Sequence, residues 1–389
     1  MMQTYLSQED EKQKLQSILL EKKIVVCCGA GGVGKTTTSA ALGVAAARLG
    51  RRVLVLTIDP ARRLADAMGI PIDSHEPQSV PADILKAEGF PDGSRLDIWM
   101  VQPQPVFDAM LQRLASSPKQ VEMVRENRLY KTMRQLLAGM QEYMAGESLH
   151  QFYTGGDYDL IILDTPPSRS AIDFLKAPDR LLSFLDSRIL KVFAPSTGRV
   201  SIFGRARRLL QKTFEQVAGV NFFSQAQEFV AVFFDIFESL KDHAETVRRV
   251  LASQEASHLL VTSTDEIALE EALYFQKVLK QNNIPFGGFL LNRSLADRPL
   301  EQYKDSSSEE TESWEQSFTG LQDAFEAFEP LVKHESQLVQ AHRGLYKRLF
   351  ELAGEKACSI AAPHLGEDIE DLTGLVRLAG LLIPQEQGV

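Results

Sequence analysis

The stretch KIVVCCGAGGVGKTTTS, residues 23–39, decides the fold of this 389-residue chain. A largely apolar run leads into a glycine-rich loop, and a series of small, helix-forming residues follows it. The loop, Gly29-Ala30-Gly31-Gly32-Val33-Gly34-Lys35-Thr36, matches the pattern GxxxxGK followed by Ser or Thr. A strand, this loop and a helix in that order are typical of a P-loop, so the stretch predicts a phosphate-binding loop rather than an ordinary turn.

The residue types in the loop are those that the binding of phosphate groups requires. Glycines allow successive backbone N–H groups to curl around phosphate oxygens without interference from a Cβ. Lys35 is placed to reach the β- and γ-phosphates of ATP, and the Thr36 hydroxyl to ligate Mg²⁺. The helix that begins here adds its dipole, so we expect residues 29–37, up to Thr37, to bind the nucleotide.

The rest of the chain predicts an α/β fold with a mostly parallel sheet that is covered on both faces. Near-continuous apolar runs separated by helical patterns are typical of such sheets. The predicted strands are 23–28, 52–59, 96–102, 158–164, 258–263 and 286–292, with a shorter run at 356–362.

Two long helical gaps between these runs predict a helical subdomain inserted into the core. We expect its first part at 103–155 and its second part at 178–255. The predicted P-loop core then comprises 1–102, a strand with the segment that follows it at 156–177, and 256–389, in which 301–315 is an acidic surface loop.

Two aspartates follow predicted strands and are candidates for the chemistry. Asp59 and Asp164 lie at the carboxyl edge of the sheet, where open α/β folds bind their ligands. An isolated strand-end aspartate is often only a helix N-cap. Because two of them accompany a P-loop, we expect both to act at the nucleotide.

These segments together resemble the ArsA-type ATPases, a family of anion-pump ATPases and of factors that deliver tail-anchored membrane proteins. The likeness covers about residues 23 to 380. It is carried by GGVGKTT (31–37), DPA (59–61) and DTPP (164–167), and its bacterial branch is indicated by QEYMA (141–145), DFLKAPDRL (173–181) and LLNR (290–293).

The resemblance implies a role for each matching residue. Asp59, in switch I, would orient or deprotonate the attacking water, and Asp164, in switch II, would support the Mg²⁺ shell through water. Asn292 would hydrogen-bond the adenine, although without the resemblance it reads as a turn asparagine. Pro363 and His364 would line the base pocket. The family also implies a dimer.

The loop departs from the family pattern at Ala30. Related loops usually read GKGGVGKT, and their first lysine reaches the nucleotide of the partner subunit. A missing cationic finger costs roughly 10³–10⁵ in rate, so hydrolysis is expected to be slow unless Arg62, Arg63 or Arg169 substitutes. The alternatives are a weakly hydrolysing nucleotide-binding scaffold and one half of a heterodimer with a related subunit.

The cysteines give no sign of a metal site. Family members that share a zinc ion across the dimer carry Cys-x-x-Cys after the adenine strand, whereas only Cys358 follows Asn292 here. The insertion contains no cysteine, so neither structural zinc nor As(III) binding is predicted. Cys27 and Cys28 read as small buried strand residues.

The insertion is rich in adaptable apolar side chains. Six of nine methionines lie within 100–144 and ten of twenty-one phenylalanines within 184–237, which suits a groove for an apolar helix or lipid-like client. A plain helical core is the alternative. A basic stretch at 187–214 permits peripheral contact with anionic lipid, or is a solvated face.

Composition excludes several other classes. The net charge of −10 argues against a general nucleic-acid binder, and no apolar run is long enough for a membrane span. Three cysteines without a leader-like N-terminus favour the reducing cytoplasm. A P-loop transferase acting on a small molecule is the remaining alternative, but it would need a polar acceptor pocket, whereas the insertion is apolar.

Overall fold

A central eight-stranded sheet organises the part of the chain that the computed structural model describes. The described residues are 8–58, 76–115, 117–126, 141–166, 168–185, 239–298, 322–366, 369 and 371–384. The strands are β1 (Ile24–Cys28), β2 (Arg52–Thr57), β3 (Gln78–Ser79), β4 (Arg95–Met100), β5 (Leu160–Asp164), β6 (Ala256–Thr262), β7 (Phe286–Ser294) and β8 (Cys358–Pro363).

The strand order is β3-β4-β2-β5-β1-β6-β7-β8, and all neighbours are parallel except β3, which pairs antiparallel with β4. Each of the seven predicted apolar runs overlaps one strand, which confirms the α/β fold with a mostly parallel sheet. Strand β3 was not predicted, because two residues at a sheet edge leave no apolar run to detect.

Helices lie on both faces of the sheet. Labelled helices are α1 (Gln8–Glu21), α2 (Lys35–Arg48), α3 (Ala82–Ala87), α4 (Pro103–Leu114), α5 (Pro118–Glu126), α6 (Gln141–Gly155), α7 (Ser168–Leu185), α8 (Glu266–Gln281), α9 (Gln322–Ala353) and α10 (Leu372–Leu382). A further helical segment, 239–251, precedes β6.

The two faces of the sheet build two separate apolar clusters. Along β1, Ile24 and Val26 join the cluster that contains side chains of α4, α6 and α8, whereas Val25 and Cys27 join the cluster under α1, α2 and α10. Side chains of successive strand residues point to opposite faces. Continuous apolarity in the sequence therefore reflects two buried faces, as predicted.

Helices occupy much of the predicted insertion, namely α4, α5, α6, α7 and 239–251. The domain boundaries themselves remain a prediction. The acidic stretch 301–315, the basic stretch 187–214 and most of the phenylalanine-rich segment 184–237 lie outside the described residues. None of the described helices is both long and apolar enough to cross a membrane.

Candidate functional site

The glycine-rich loop connects the carboxyl end of β1 to the first residue of α2. Gly34 caps α2 with φ of 87°, and Gly32 has φ of 78°. These left-handed backbone angles are strained for residues with a Cβ. The loop therefore curls directly in front of the α2 N-terminus, where free N–H groups and the helix dipole favour an anion.

Two glycines are also required by close approach. A Cβ at Gly29 would lie 2.0 Å from the Val261 carbonyl oxygen in β6, and one at Gly34 would lie 2.2 Å from Asn292 Nδ2 in β7. Both distances are far shorter than any real contact. The strands on one side of β1 thus hold the loop in position.

Lys35 lies in the first turn of α2, with 6% of its surface exposed. Its Nζ donates a 2.7 Å hydrogen bond to the carbonyl oxygen of Ala30 across the loop. The ammonium group is therefore held over the concave side of the loop by a backbone acceptor. A phosphate oxygen would be a stronger partner, because it carries a negative charge that the backbone carbonyl lacks.

Asp164 ends β5 and is fully buried. Its Oδ2 accepts hydrogen bonds from Thr36 Oγ1 at 2.8 Å and Thr57 Oγ1 at 2.9 Å, and its Oδ1 accepts one from Ser39 Oγ at 3.4 Å. Strand register explains this meeting, since Thr57 of β2 and Cys27 of β1 are the direct neighbours of Asp164.

Thr57 and Ser39 were missed by the sequence reasoning. Ser39 lies three residues after Thr36, on the same face of α2, so helical periodicity gave a signal for it. Thr57 ends β2, two residues before Asp59, but only the strand register places it against Asp164.

The donor set fits a magnesium ion. Mg²⁺ prefers oxygen ligands and commonly uses one or two carboxylates together with substrate phosphates and water. Thr36 Oγ1 and Asp164 Oδ2, 2.8 Å apart beside the loop, are oxygens of this kind. Thr36 would hold the ion directly and Asp164 through its water shell.

The predicted base-side residues lie at the neighbouring strand ends. Asn292, near the end of β7, donates from Nδ2 to the Val33 carbonyl oxygen at 2.9 Å and is 7% exposed. Pro363 ends β8, and the exposed His364 follows it, with its backbone N–H bound to the Ser294 carbonyl at 2.9 Å. Asn292 thus contacts the phosphate loop, and its role toward adenine stays a prediction.

The structure describes only some of the remaining predicted site residues. Asp59, Arg62 and Arg63 lie outside the described residues; the last described residue before them, Ile58, donates its N–H to the Asp164 carbonyl oxygen at 3.1 Å. The described part of the chain after β2 therefore ends beside Asp164. Arg169 belongs to α7.

Cys27 and Cys28 are buried strand residues, as predicted, and Cys358 is buried in β8 as well. Cys27, Cys28 and Cys358 are all fully buried and form no disulfide. Burial raises the pKa of each thiol, that of Cys28 to about 12. Such thiols are poor nucleophiles and poor metal ligands at neutral pH.

Comparison with known proteins agrees with this geometry. A family model described as "Anion-transporting ATPase" (ArsA ATPase) matches residues 22–353. The chain belongs to this family. The match covers most of the chain and confirms the resemblance to ArsA-type ATPases.

Individual relatives of the ArsA family are distant. The chain is 29% identical over 181 residues to an Aquifex aeolicus protein provisionally named arsenical pump-driving ATPase 1, which covers 43% of each chain. It is 25% identical over 241 residues to the ATPase GET3 of Malassezia globosa, 61% of each. It is 30% identical over 173 residues to an ATPase ASNA1 homolog of Babesia bovis, 44% of this chain and 42% of that one. The match thus spans less than half of the first relative.

Proposed function

We propose that this member of the ArsA family binds ATP with Mg²⁺ at residues 29–37 and hydrolyses it to ADP and phosphate. The observation that carries the proposal is the convergence of Lys35, Thr36 and the buried Asp164 on one glycine-rich loop. Lys35 would exchange the Ala30 carbonyl for the β- and γ-phosphates. When bound, Mg²⁺ supplies charge neutralisation at those phosphates.

In this proposal the chain's own residues position the reactants. The loop N–H groups orient the phosphates, and Asp59, in the segment that leaves β2 beside Asp164, aligns water with the γ-phosphorus for in-line attack. Asp164 senses the γ-phosphate, and Asn292, Pro363 and His364 hold the adenine. The three buried thiols are compatible with a reducing cytoplasm.

The proposal is tested first at Lys35. In Lys35→Ala the β/γ charge loses its cation, so ATP affinity measured by calorimetry should fall by at least about 100-fold. The matched control is Lys347→Ala, because Lys347 is exposed and pairs only loosely, at 4.0 Å, with Glu351. Equal ATP affinity in wild type and Lys35→Ala would refute the P-loop assignment.

A second variant separates binding from chemistry. Asp59→Asn should retain ATP affinity and slow hydrolysis about 10²–10⁴-fold, which is the usual effect of a lost general base. Unchanged turnover in this variant would mean that Asp59 is only a helix cap or a loop residue.

Ala30 favours a second candidate, a nucleotide-binding scaffold with little turnover. The side chain is 7% exposed and packs in the apolar cluster with Val33 and Val25, where a related loop carries a lysine. We propose that the active form is a homodimer or a heterodimer with a related subunit. Single-turnover phosphate release, measured with and without a partner subunit, distinguishes the ATPase from the scaffold.

We further propose that the nucleotide state gates a hydrophobic groove in the helical insertion for an apolar helix or lipid-like client. Support comes from connectivity, because α7 begins at Ser168, four residues after Asp164, and leads toward the phenylalanine-rich segment. Coupling between two sites is reciprocal and typically about 5–150-fold in affinity. Hydrogen exchange across 178–250 should differ between the nucleotide-free, ADP and ATP-analogue states. Identical protection in the three states would mean that the segment is a plain helical core without a gated groove.

A further inference from the structure

A second polar cluster lies away from the nucleotide loop, among the helices of the predicted insertion. Its centre is Glu147 in α6, which is 5% exposed. Glu147 Oε2 lies 2.8 Å from His243 Nδ1, in the segment 239–251, and Glu147 Oε1 accepts a hydrogen bond from Arg113 Nη2 of α4 at 3.3 Å. Three separate helical segments therefore meet at one buried carboxylate.

His150 completes the cluster. It follows Glu147 by three residues on α6, and its ring stacks on that of His243 with centroids 3.7 Å apart and 18° between the ring planes. Within the part of the chain that the structure describes, its ring nitrogens have no hydrogen-bond partner. One ligand atom each from Glu147, His150 and His243 lies within 4.8 Å of the others.

An ion-pair network alone explains only part of this arrangement. Arg113 and His243 satisfy the carboxylate, but His150 adds a second imidazole that contributes no bond to it. The second imidazole supplies a further nitrogen ligand within reach of the other two ligand atoms.

We propose that Glu147, His150 and His243 form a binding site for a divalent transition metal ion of the zinc class. Two imidazoles and one carboxylate are a known ligand set for Zn²⁺, with water as the fourth ligand. Both histidines are partly exposed, so water can reach that position. A Glu-x-x-His pair projecting from one helix turn is also a recurring metal-binding arrangement in helical proteins.

Binding would need a small adjustment at the Glu147–His243 contact and a turn of the stacked His150 ring, so that both imidazoles point at one ion. The Glu147–His243 distance of 2.8 Å is that of a hydrogen bond. Two ligand atoms of a tetrahedral zinc ion with bonds of about 2.0–2.1 Å lie about 3.3 Å apart. The metal would thus replace the shared proton after a separation of about half an ångström, while Arg113 continues to hold the other oxygen from outside the ligand sphere.

Such an ion would join the two parts of the insertion. Glu147 and His150 precede β5 and switch II, and His243 lies after residues 186–238, so the metal would connect a helix before switch II to a helical segment well after it. This site differs in ligands and in place from the cysteine-based zinc site that the sequence argues against.

The test uses the full-length protein after treatment with a chelator, with saturating Mg²⁺ and ADP to block other oxygen sites. Zn²⁺ affinity is measured by competition with a chromophoric chelator in the wild type, His150→Ala, His243→Asn and His334→Ala. In His243→Asn the amide can still donate a hydrogen bond to Glu147, which protects the fold. His334 is an exposed α9 residue and serves as the matched control.

The wild type and His334→Ala should each bind one Zn²⁺ at this site. His150→Ala and His243→Asn should bind it more than about 100-fold more weakly, because even loss of an outer-sphere partner costs roughly 10–100-fold. Co²⁺ should give the visible spectrum of a tetrahedral site in the first two proteins only. If no protein binds Zn²⁺, or if all four bind it equally, the cluster is an ion-pair network and the proposal is overturned.

Discussion

Two buried carboxylates in this molecule are held in different ways. Asp164, at the edge of the sheet, accepts hydrogen bonds from the hydroxyls of Thr36, Thr57 and Ser39. Glu147, among the helices, is bound instead by the guanidinium of Arg113 and the imidazole of His243. Both are at most 5% exposed.

The difference in hydrogen-bond partners indicates which role each carboxylate has in the protein. Asp164 and the hydroxyl of Thr36 offer oxygen atoms beside the nucleotide loop, so Asp164 is placed to support a bound cation through its water shell. In metal-free protein Glu147 has a counter-charge in the guanidinium of Arg113, and removing the carboxylate mainly disturbs the fold. We therefore expect changes at Asp164 to affect activity and changes at Glu147 to affect stability.

The largest expected effect is at Asp164. Asp164→Asn keeps the size of the side chain and an acceptor oxygen for the hydroxyls, but it removes the negative charge. Hydrolysis should fall about 10²–10⁴-fold, the range for loss of a group that acts directly in the chemistry. Phosphate release under single-turnover conditions measures it, with far-ultraviolet circular dichroism as the control for folding.

If Asp164→Asn loses activity only because it unfolds, the two carboxylates would not differ in role as proposed. The same would hold if Glu147→Gln slowed hydrolysis as strongly as Asp164→Asn does.

The next expected effect is on stability and concerns His258, whose side chain is fully buried. Its Nδ1 lies 2.9 Å from the Pro285 carbonyl oxygen, and its Nε2 has no hydrogen-bond partner among the described residues. Burial lowers the pKa of His258 to about 4, although the bond to Pro285 opposes the shift.

The sign of the resulting pH dependence follows from proton uptake. Between about pH 6.5 and 4 the unfolded chain binds a proton at His258 and the folded chain does not, so stability falls as the pH is lowered. The loss should reach about 2 kcal/mol at pH 5 relative to neutral pH. Denaturant unfolding at several pH values measures it. In His258→Gln this component should vanish, and an unchanged pH slope would show that burial alone does not keep the imidazole neutral.

The last expected effect, similar in size to that at His258, is at Glu147. In protein freed of metal by a chelator, Glu147→Gln should lower the free energy of unfolding by about 1–3 kcal/mol, because Arg113 and His243 lose their charged acceptor. ATP affinity should not change. The control is Glu351→Gln, since Glu351 is exposed and its contact with Lys347 is 4.0 Å long. Equal stability of the two variants would mean that the cluster contributes little to the fold.

The sequence predicts the sheet and the loop well because both depend on local patterns. Seven apolar runs overlap seven strands, and the loop glycines Gly29, Gly32 and Gly34 occupy positions where a positive φ or a close approach requires them. The link between Thr36 and Asp164 could be expected from the strand-end rule, since parallel strands present their carboxyl ends at one edge.

The rest depends on register and on contacts between distant segments. Thr57 meets Asp164 only because β2 and β5 pair with these two residues opposite one another. The Glu147–His243 contact spans 96 residues and joins two helices, and no periodicity within either helix indicates it. The amide of Asn292 contacts the Val33 carbonyl across 259 residues, which the resemblance to the ArsA family did not suggest.

The most direct test of the account is the effect of Mg²⁺ on the affinity for a non-hydrolysable ATP analogue. Calorimetric titrations of the wild type and Asp164→Asn, each with Mg²⁺ and with a chelator, give four affinities. The account predicts that Mg²⁺ tightens binding to the wild type by at least about tenfold, or about 1.4 kcal/mol, and that Asp164→Asn loses most of this gain. Equal affinities with and without Mg²⁺ in the wild type, or the same gain in both proteins, would contradict a magnesium-supporting role for the hydroxyl-bound Asp164.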